Sequence, residues 1–268
     1  MKREKLAAVF FAAVTVLGFA ASAGAVDGTI EINQAKVMAA TGFPYTIGAS
    51  GSYRLTGNLT VPASTNGINV SVANVTIDLN GFSITGPLTT LTSATPIGIN
   101  ATQNLVTVEN GIVTGFGTGV VVGSGGIIRN IHADGNFNGI EGSNNSLITG
   151  CTANNATTGG TGIECQSTCA ISGNTANGDS AGGITCGAPG NGDACVISGN
   201  TANSDGVGIH CKGEECLITG NIVGFNNIGI ESLDFTTGYG GNVLAFNTTN
   251  FSGGPTSIGN NLCGGTVC

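Results

Sequence analysis

Glycine followed by isoleucine returns along this chain at near-constant intervals, and nothing else in the sequence restricts the fold as strongly. Lines opening at Gly98, Gly119, Gly139, Gly162, Gly183, Gly208 and Gly229 start 21, 20, 23, 21, 25 and 21 residues apart, and an earlier, less regular line opens at Gly67. A period of this size means stacked units, none of which can bury its own apolar side. Leucine-rich repeats overlap it in length but need a Leu-x-Leu core and a helix per unit. Here no apolar residues recur at helical spacing, and the many β-branched residues and glycines disfavour helix. Each line holds two or three short alternating runs separated by Gly, Asn or Asp, which are strands separated by turns. The pattern predicts an all-β chain, a single parallel β-helix with coils of about 22 residues. Each strand would pair with the coil above and below at about 4.8 Å. Variable coil length then falls in the turns, where insertion costs little. The segments from Ala188 to Asp193 and from Leu88 to Thr95 read as such inserts.

Stacking turns equivalent positions into columns. Asn174, Asn200, Asn221 and Asn242 share one slot after a glycine. Asparagine tolerates the left-handed backbone of a tight bend, and stacked amides can bond along the axis. Cys151 and, before it, Ile131 fill the same slot in preceding coils. The residue after each Gly-Ile faces outward if Ile faces in. That outward row reads Asn69, Asn100, Val121, Glu141, Glu164, Thr185, His210, Glu231.

The N-terminus has its own pattern. Lys2, Arg3 and Lys5 precede an apolar run from Leu6 to Ala21, and Ala23-Gly24-Ala25 supplies small residues suited to cleavage. These are the parts of a secretory signal peptide, and the run is shorter than the roughly 20 residues of a spanning helix. The expected organisation is a signal peptide over 1–25, an N-terminal cap over 26–57 and the β-helix over 58–268. The chain would be secreted or held at the cell surface, with no membrane contact after cleavage.

Charge narrows the partners. The formal net charge of −8 becomes −10 without the first 25 residues, which leaves four bases: Lys36, Arg54, Arg129 and Lys212. Nucleic acid and anionic membranes are poor partners for such a surface, because binding either rests on neutralising phosphates.

Nine cysteines, all after residue 150, in an exported chain call for disulfides. Cys165 and Cys169, Cys186 and Cys195, and Cys211 and Cys216 bracket the same turn in successive lines, and Cys263 and Cys268 form a pair near the end. Cysteines that appear and vanish in pairs favour bonds within a coil. Cys165, Cys186 and Cys211 would also stack in adjacent coils, close enough to bond across. Irregular spacing and an oxidising compartment speak against zinc. Cys151 is left over, suited to packing as a small buried residue.

Three segments are similar to those of bacterial secreted right-handed β-helix proteins of the pectin lyase-like superfold. They are GSYRLTGNLTV from Gly51, NVTIDLNGFSITG from Asn74 and the closing IGNNLCGGTVC from Ile258. The resemblance implies a right-handed solenoid and a monomer, and the superfold hosts lyases, hydrolases, epimerases, tailspikes and adhesins, so fold leaves function open. Within the outward row, Glu141 and Glu164 lie one rung apart, at a spacing resembling the carboxylate pair of a retaining glycosidase, about 5 Å. They are the candidate catalytic pair. Together with His210 and Glu231 they are also the candidate glycan- or cation-binding residues. No metal site or cofactor is expected, except that stacked carboxylates could share a calcium ion. Lyase chemistry needs a base at the substrate carbon, and neither Arg129 nor Lys212 falls in the row. The clustered aspartates that the resemblance implies for hydrolases are missing from it, Trp is absent and Tyr is scarce, at 3 residues. The expectation is a non-catalytic protein that contacts polysaccharide, a cell-surface glycan or another surface, with a polysaccharide hydrolase or, less well fitted, a lyase as the alternative.

Overall fold

The computed structural model describes residues 28–87, 92, 96–156, 159–187 and 194–268. The segment expected to be a signal peptide lies outside them, as do residues 188–193 and all but Thr92 of residues 88–95. The described chain is a parallel β-solenoid of about ten coils of about 21 residues. One sheet carries the Gly-Ile strands, ten in all, from Tyr45–Ile47 and Ile68–Val70 through Asn138–Gly142, Thr161–Cys165, Gly182–Cys186 and Val207–Cys211 to Thr249–Gly253. A second face stacks strands such as Leu147–Thr149, Ala170–Ser172, Val196–Ser198 and Leu217–Thr219. A third stacks Thr152–Asn154, Thr175–Asn177, Thr201–Asn203 and Ile222–Gly224. The longer strands Val106–Thr114 and Ile127–His132 run around the corner and join the second and third faces.

Period-two alternation decides which side chains fill the cylinder. Ile99, Val120, Ile140, Ile163, Ile184, Ile209 and Ile230 point inward from the Gly-Ile face and are fully buried. Ile128, Ile148, Ile171, Ile197 and Ile218 do the same from the second face, and Ala153, Ala176, Ala202 and Val223 from the third. Removing each Ile from water stabilises the fold by about 1.5–3 kcal/mol. Parallel register stacks like on like, so one residue choice serves every rung.

The corner between the second and third faces is held by the asparagine column. The Asn200 Oδ1 accepts from the backbone N–H of Asn174 at 2.9 Å and from its Nδ2 at 3.0 Å, while Asn200 Nδ2 donates to the Ile171 carbonyl at 2.9 Å. Asn221 and Asn242 repeat the arrangement, and Asn261 extends it by one further rung. Cys151 fills its slot in the same sense: its N–H donates to Asn174 Oδ1, and its thiol reaches the Ile128 carbonyl, as the amides reach theirs. Burial pushes the Cys151 thiol up to about 11, which keeps it protonated.

Parallel pairing begins with Thr29–Ile32 against Gly51–Leu55, inside the segment expected to cap the helix. The short helix Gln34–Ala39 follows, with Asn33 accepting from the Lys36 N–H as N-cap and Val37 fully buried against the core. At the other end Leu262–Cys263 pairs antiparallel with Thr266–Val267. Disulfides join Cys165 to Cys169, Cys186 to Cys195, Cys211 to Cys216 and Cys263 to Cys268, with Cα separations of 6.4, 6.5, 6.3 and 5.7 Å. Cys165, Cys186 and Cys211 are register neighbours, yet each bonds within its own coil. Cys151 is free and buried.

Candidate functional site

The outward row assembles in continuous register on the Gly-Ile face. Asn69 pairs with Asn100, Asn100 with Val121, Val121 with Glu141, Glu141 with Glu164, Glu164 with Thr185, Thr185 with His210 and His210 with Glu231. Ser252 adds one more rung. The row is half-buried rather than open, and Thr185 at its centre is fully covered.

Glu141 is held firmly. Its Oε1 accepts from Thr118 Oγ1 at 3.0 Å and from Asn138 Nδ2 at 2.9 Å. Burial raises the Glu164 carboxyl above the usual range. Lys212 opposes that rise and Glu141, the like charge one rung away, adds to it. His210 Nε2 lies 3.4 Å from Glu231 Oε2, but the angle does not make a hydrogen bond, and that nitrogen is buried without a partner. Burial lowers the His210 pKa, Glu231 works against this and Lys212 reinforces it.

A second outward column flanks the first, displaced by two residues along each strand. Backbone bonds from Ser143, Gln166, Gly187 and Lys212 continue the parallel ladder past the strand ends. Ser143 Oγ donates to Gln166 Oε1 at 3.2 Å. Glu141, Ser143 and Gln166, with Thr102 and Val121, line a groove of about 130 Å³. Lys212 belongs to this column, outside the row as expected, yet its charge acts on both Glu164 and His210. The spacing carried the signal: residues two apart on a strand face the same way, so 143, 166 and 212 follow from 141, 164 and 210. Arg129 lies on the second face, paired with Glu109. Among the described residues no three His, Cys, Asp or Glu side chains converge as metal ligands.

No family model matches the sequence, and no curated protein matches it. Solved structures share the architecture, two of them as follows. The Dettilon tailspike protein (gp208) superposes with a TM-score of 0.58 at 16% identity over 88% of this chain. The pectate lyase Pel9A superposes with a TM-score of 0.51 at 14% identity over 85% of this chain and 74% of that one. The fold is a right-handed parallel β-helix of the kind these structures share. The chain spans about half of the tailspike, 53% of its length. At these identities the likeness is one of backbone, and the β-helix carries its own outward residues.

Proposed function

We propose that this β-helix is an exported protein that holds polysaccharide or a surface glycan against its Gly-Ile face without turning it over. The observation that carries the reading is the shape and fixity of the site. The groove at Glu141 measures about 130 Å³, against roughly 300–1,000 Å³ for sites that enclose a small ligand. Its carboxylate is tied to Thr118 and Asn138. A row of amide, hydroxyl and carboxylate groups at one rung spacing suits contact along an extended polar chain. A tailspike and a pectate lyase among the structures of this fold fit a glycan partner, and four intrachain disulfides fit an oxidising compartment. No helix among the described residues is long and apolar enough to cross a membrane.

The raised carboxyl of Glu164 beside Glu141 favours a second reading, a hydrolase in which Glu164 delivers a proton and Glu141 attacks or stabilises. A panel of neutral and acidic polysaccharides, with and without calcium, separates the two. Binding without new reducing ends or unsaturated products, surviving Glu141→Gln and Glu164→Gln, is the expected result. Turnover that each of those substitutions abolishes would replace the first reading with the second.

A further inference from the structure

A second corner column, between the third face and the next Gly-Ile strand, runs Asn136, Ala156, Asp179, Asp205, Asn226, Asn247, one residue per coil. Its asparagines follow one rule. Asn226 Oδ1 accepts the N–H of Asp205 at 2.8 Å, and Asn226 Nδ2 donates to the Ala202 carbonyl of the preceding coil at 3.1 Å. Asn247 does the same with the Asn226 N–H and the Val223 carbonyl, and Asn136 with the Phe116 N–H and the Val113 carbonyl. The two aspartates keep the first half. Asp179 Oδ1 accepts from the Ala156 N–H at 2.7 Å, and Asp205 Oδ1 from the Asp179 N–H at 2.9 Å.

Their second oxygens cannot keep the other half as carboxylates. Asp179 Oδ2 and Asp205 Oδ2 are buried and have no donor. They occupy the place of the amide nitrogens. A Cβ on Gly162 would meet Asp179 Oδ2 and one on Gly183 would meet Asp205 Oδ2, as one on Gly208 would meet Asn226 Nδ2. Register sets the Ala153 and Ala176 carbonyls where Ala202 and Val223 stand beside the asparagines. A buried oxygen in the place where an amide nitrogen donates to a carbonyl needs a proton to give.

We infer that Asp179 and Asp205 are built into the corner as neutral carboxylic acids, each donating its Oδ2 proton to a backbone carbonyl of the preceding coil, and that they form a pH-sensitive clasp whose ionisation loosens these coils. The charged surroundings agree. The charged groups acting on the pair are Asp134 on Asp179 and Asp179 on Asp205, all acidic; Glu164 and His210 on the neighbouring strands look outward, where Lys212 acts on them. Asp193 lies outside the described residues. Burial pushes both aspartates up to about 8 from an ordinary 3.8, against backbone N–H donors that favour the charged form, and the charges of Asp134 on Asp179 and of Asp179 on Asp205 add to the rise. They titrate as a coupled pair, because the first charge opposes the second.

The sign follows from linkage. The folded state holds protons that the unfolded chain releases above about pH 4, so the clasp's stabilisation is complete in acid. It is lost progressively as pH rises towards about 8, and above that both states are ionised. His210 works the other way, since its lowered pKa penalises folding as pH falls below the usual histidine value. The decisive comparison is therefore with Asp179→Asn/Asp205→Asn, which restores the residue found in the next two rungs.

The experiment uses the full chain with disulfides intact. Infrared titration should show protonated carboxylic acid at about pH 6, where ordinary aspartates are ionised, and its disappearance near pH 8. The melting temperature of the unmodified protein, relative to the double variant, should fall by several degrees across the same range. Absence of the carboxylic acid band at about pH 6, or a difference between the two proteins that does not vary with pH, overturns the inference. If the double variant fails to fold, the infrared titration decides alone, run on Glu164→Gln so that the other raised carboxyl does not contribute to the band.

Discussion

Glycine at the head of each coil is a packing requirement before it is a turn signal. At Gly208 a Cβ would lie 2.6 Å from Asn226 Nδ2, 2.6 Å from Val223 Cγ1 and 2.8 Å from the Gly229 carbonyl, and two of those contacts belong to fixed backbone or ladder groups. Gly208→Ala is expected to destabilise by about 1–3 kcal/mol, the usual cost of overpacking, readable as a lower denaturant midpoint at unchanged slope. An unaltered midpoint would mean that the corner yields freely. The sequence showed these glycines plainly but not the side chains they make room for. The second corner column has mixed chemistry, Asn, Ala, Asp, Asp, Asn, Asn, and its distance to the next Gly-Ile changes from three residues at Asn136, Asp205 and Asn226 to four at Asp179. The first column was legible because four of its members are asparagines preceded by glycine. The outward row Glu141, Glu164, His210, Glu231 was legible for the same reason: period two fixes direction once one register residue is known. What it could not show was depth. That Glu164 is desolvated, and that Glu141 is clamped by Thr118 of the preceding coil and by Asn138 of its own strand, depends on packing that the row itself does not carry.

At the scale of single coils and columns, hydrogen-bond ladders and short disulfide loops carry the load differently. Replacing Asn200 with Ala removes its bonds to the Ile171 carbonyl and Asn221 and strips the acceptor from the Asn174 N–H. A buried backbone donor left unpaired costs about 1–3 kcal/mol. Asn200→Ala should therefore destabilise far more than Asn203→Ala, whose position on the strand Thr201–Asn203 is only half-buried; equal effects in thermal unfolding would refute the ladder's role. The disulfides close small loops, with sequence separations of 4, 9, 5 and 5. Chain entropy gives about 2 kcal/mol for each of the shorter ones. Cys211→Ser/Cys216→Ser is expected to lower stability by about that amount while leaving the far-ultraviolet β signature intact. Non-reducing peptide mapping should recover the four intracoil pairs with Cys151 unmodified until the protein unfolds, because a buried thiol held protonated is a poor nucleophile. A Cys165–Cys186 crosslink would contradict the pairing.

Across the whole molecule each coil touches only its neighbours, so stability is a sum of coil and interface contributions with less at the ends. Middle coils pair on both sides, as Thr161–Cys165 does with Asn138–Gly142 and Gly182–Cys186. Tyr45–Ile47 and Thr249–Gly253 end their sheet and each pair on one side. The terminal inward positions also change character: Phe251 stands where Ile230 and Ile209 stand in earlier rungs, and packs at a tilt against Tyr239 with ring centroids 4.3 Å apart, plugging the end of the aliphatic cylinder incompletely. The disulfide Cys263–Cys268 and the antiparallel pair Leu262–Cys263 with Thr266–Val267 hold the last corner closed. Amide hydrogen exchange should consequently be graded along the axis, slowest between Asn138–Gly142 and Val207–Cys211 and fastest at Thr249–Gly253. Cys263→Ser/Cys268→Ser should steepen the gradient at that end only, raising exchange in Thr249–Gly253 and Val243–Ala245 while the central strands stay protected. A uniform rise along the chain would show instead that the solenoid opens as one cooperative unit, in which case the outward row could not remain ordered while the ends breathe.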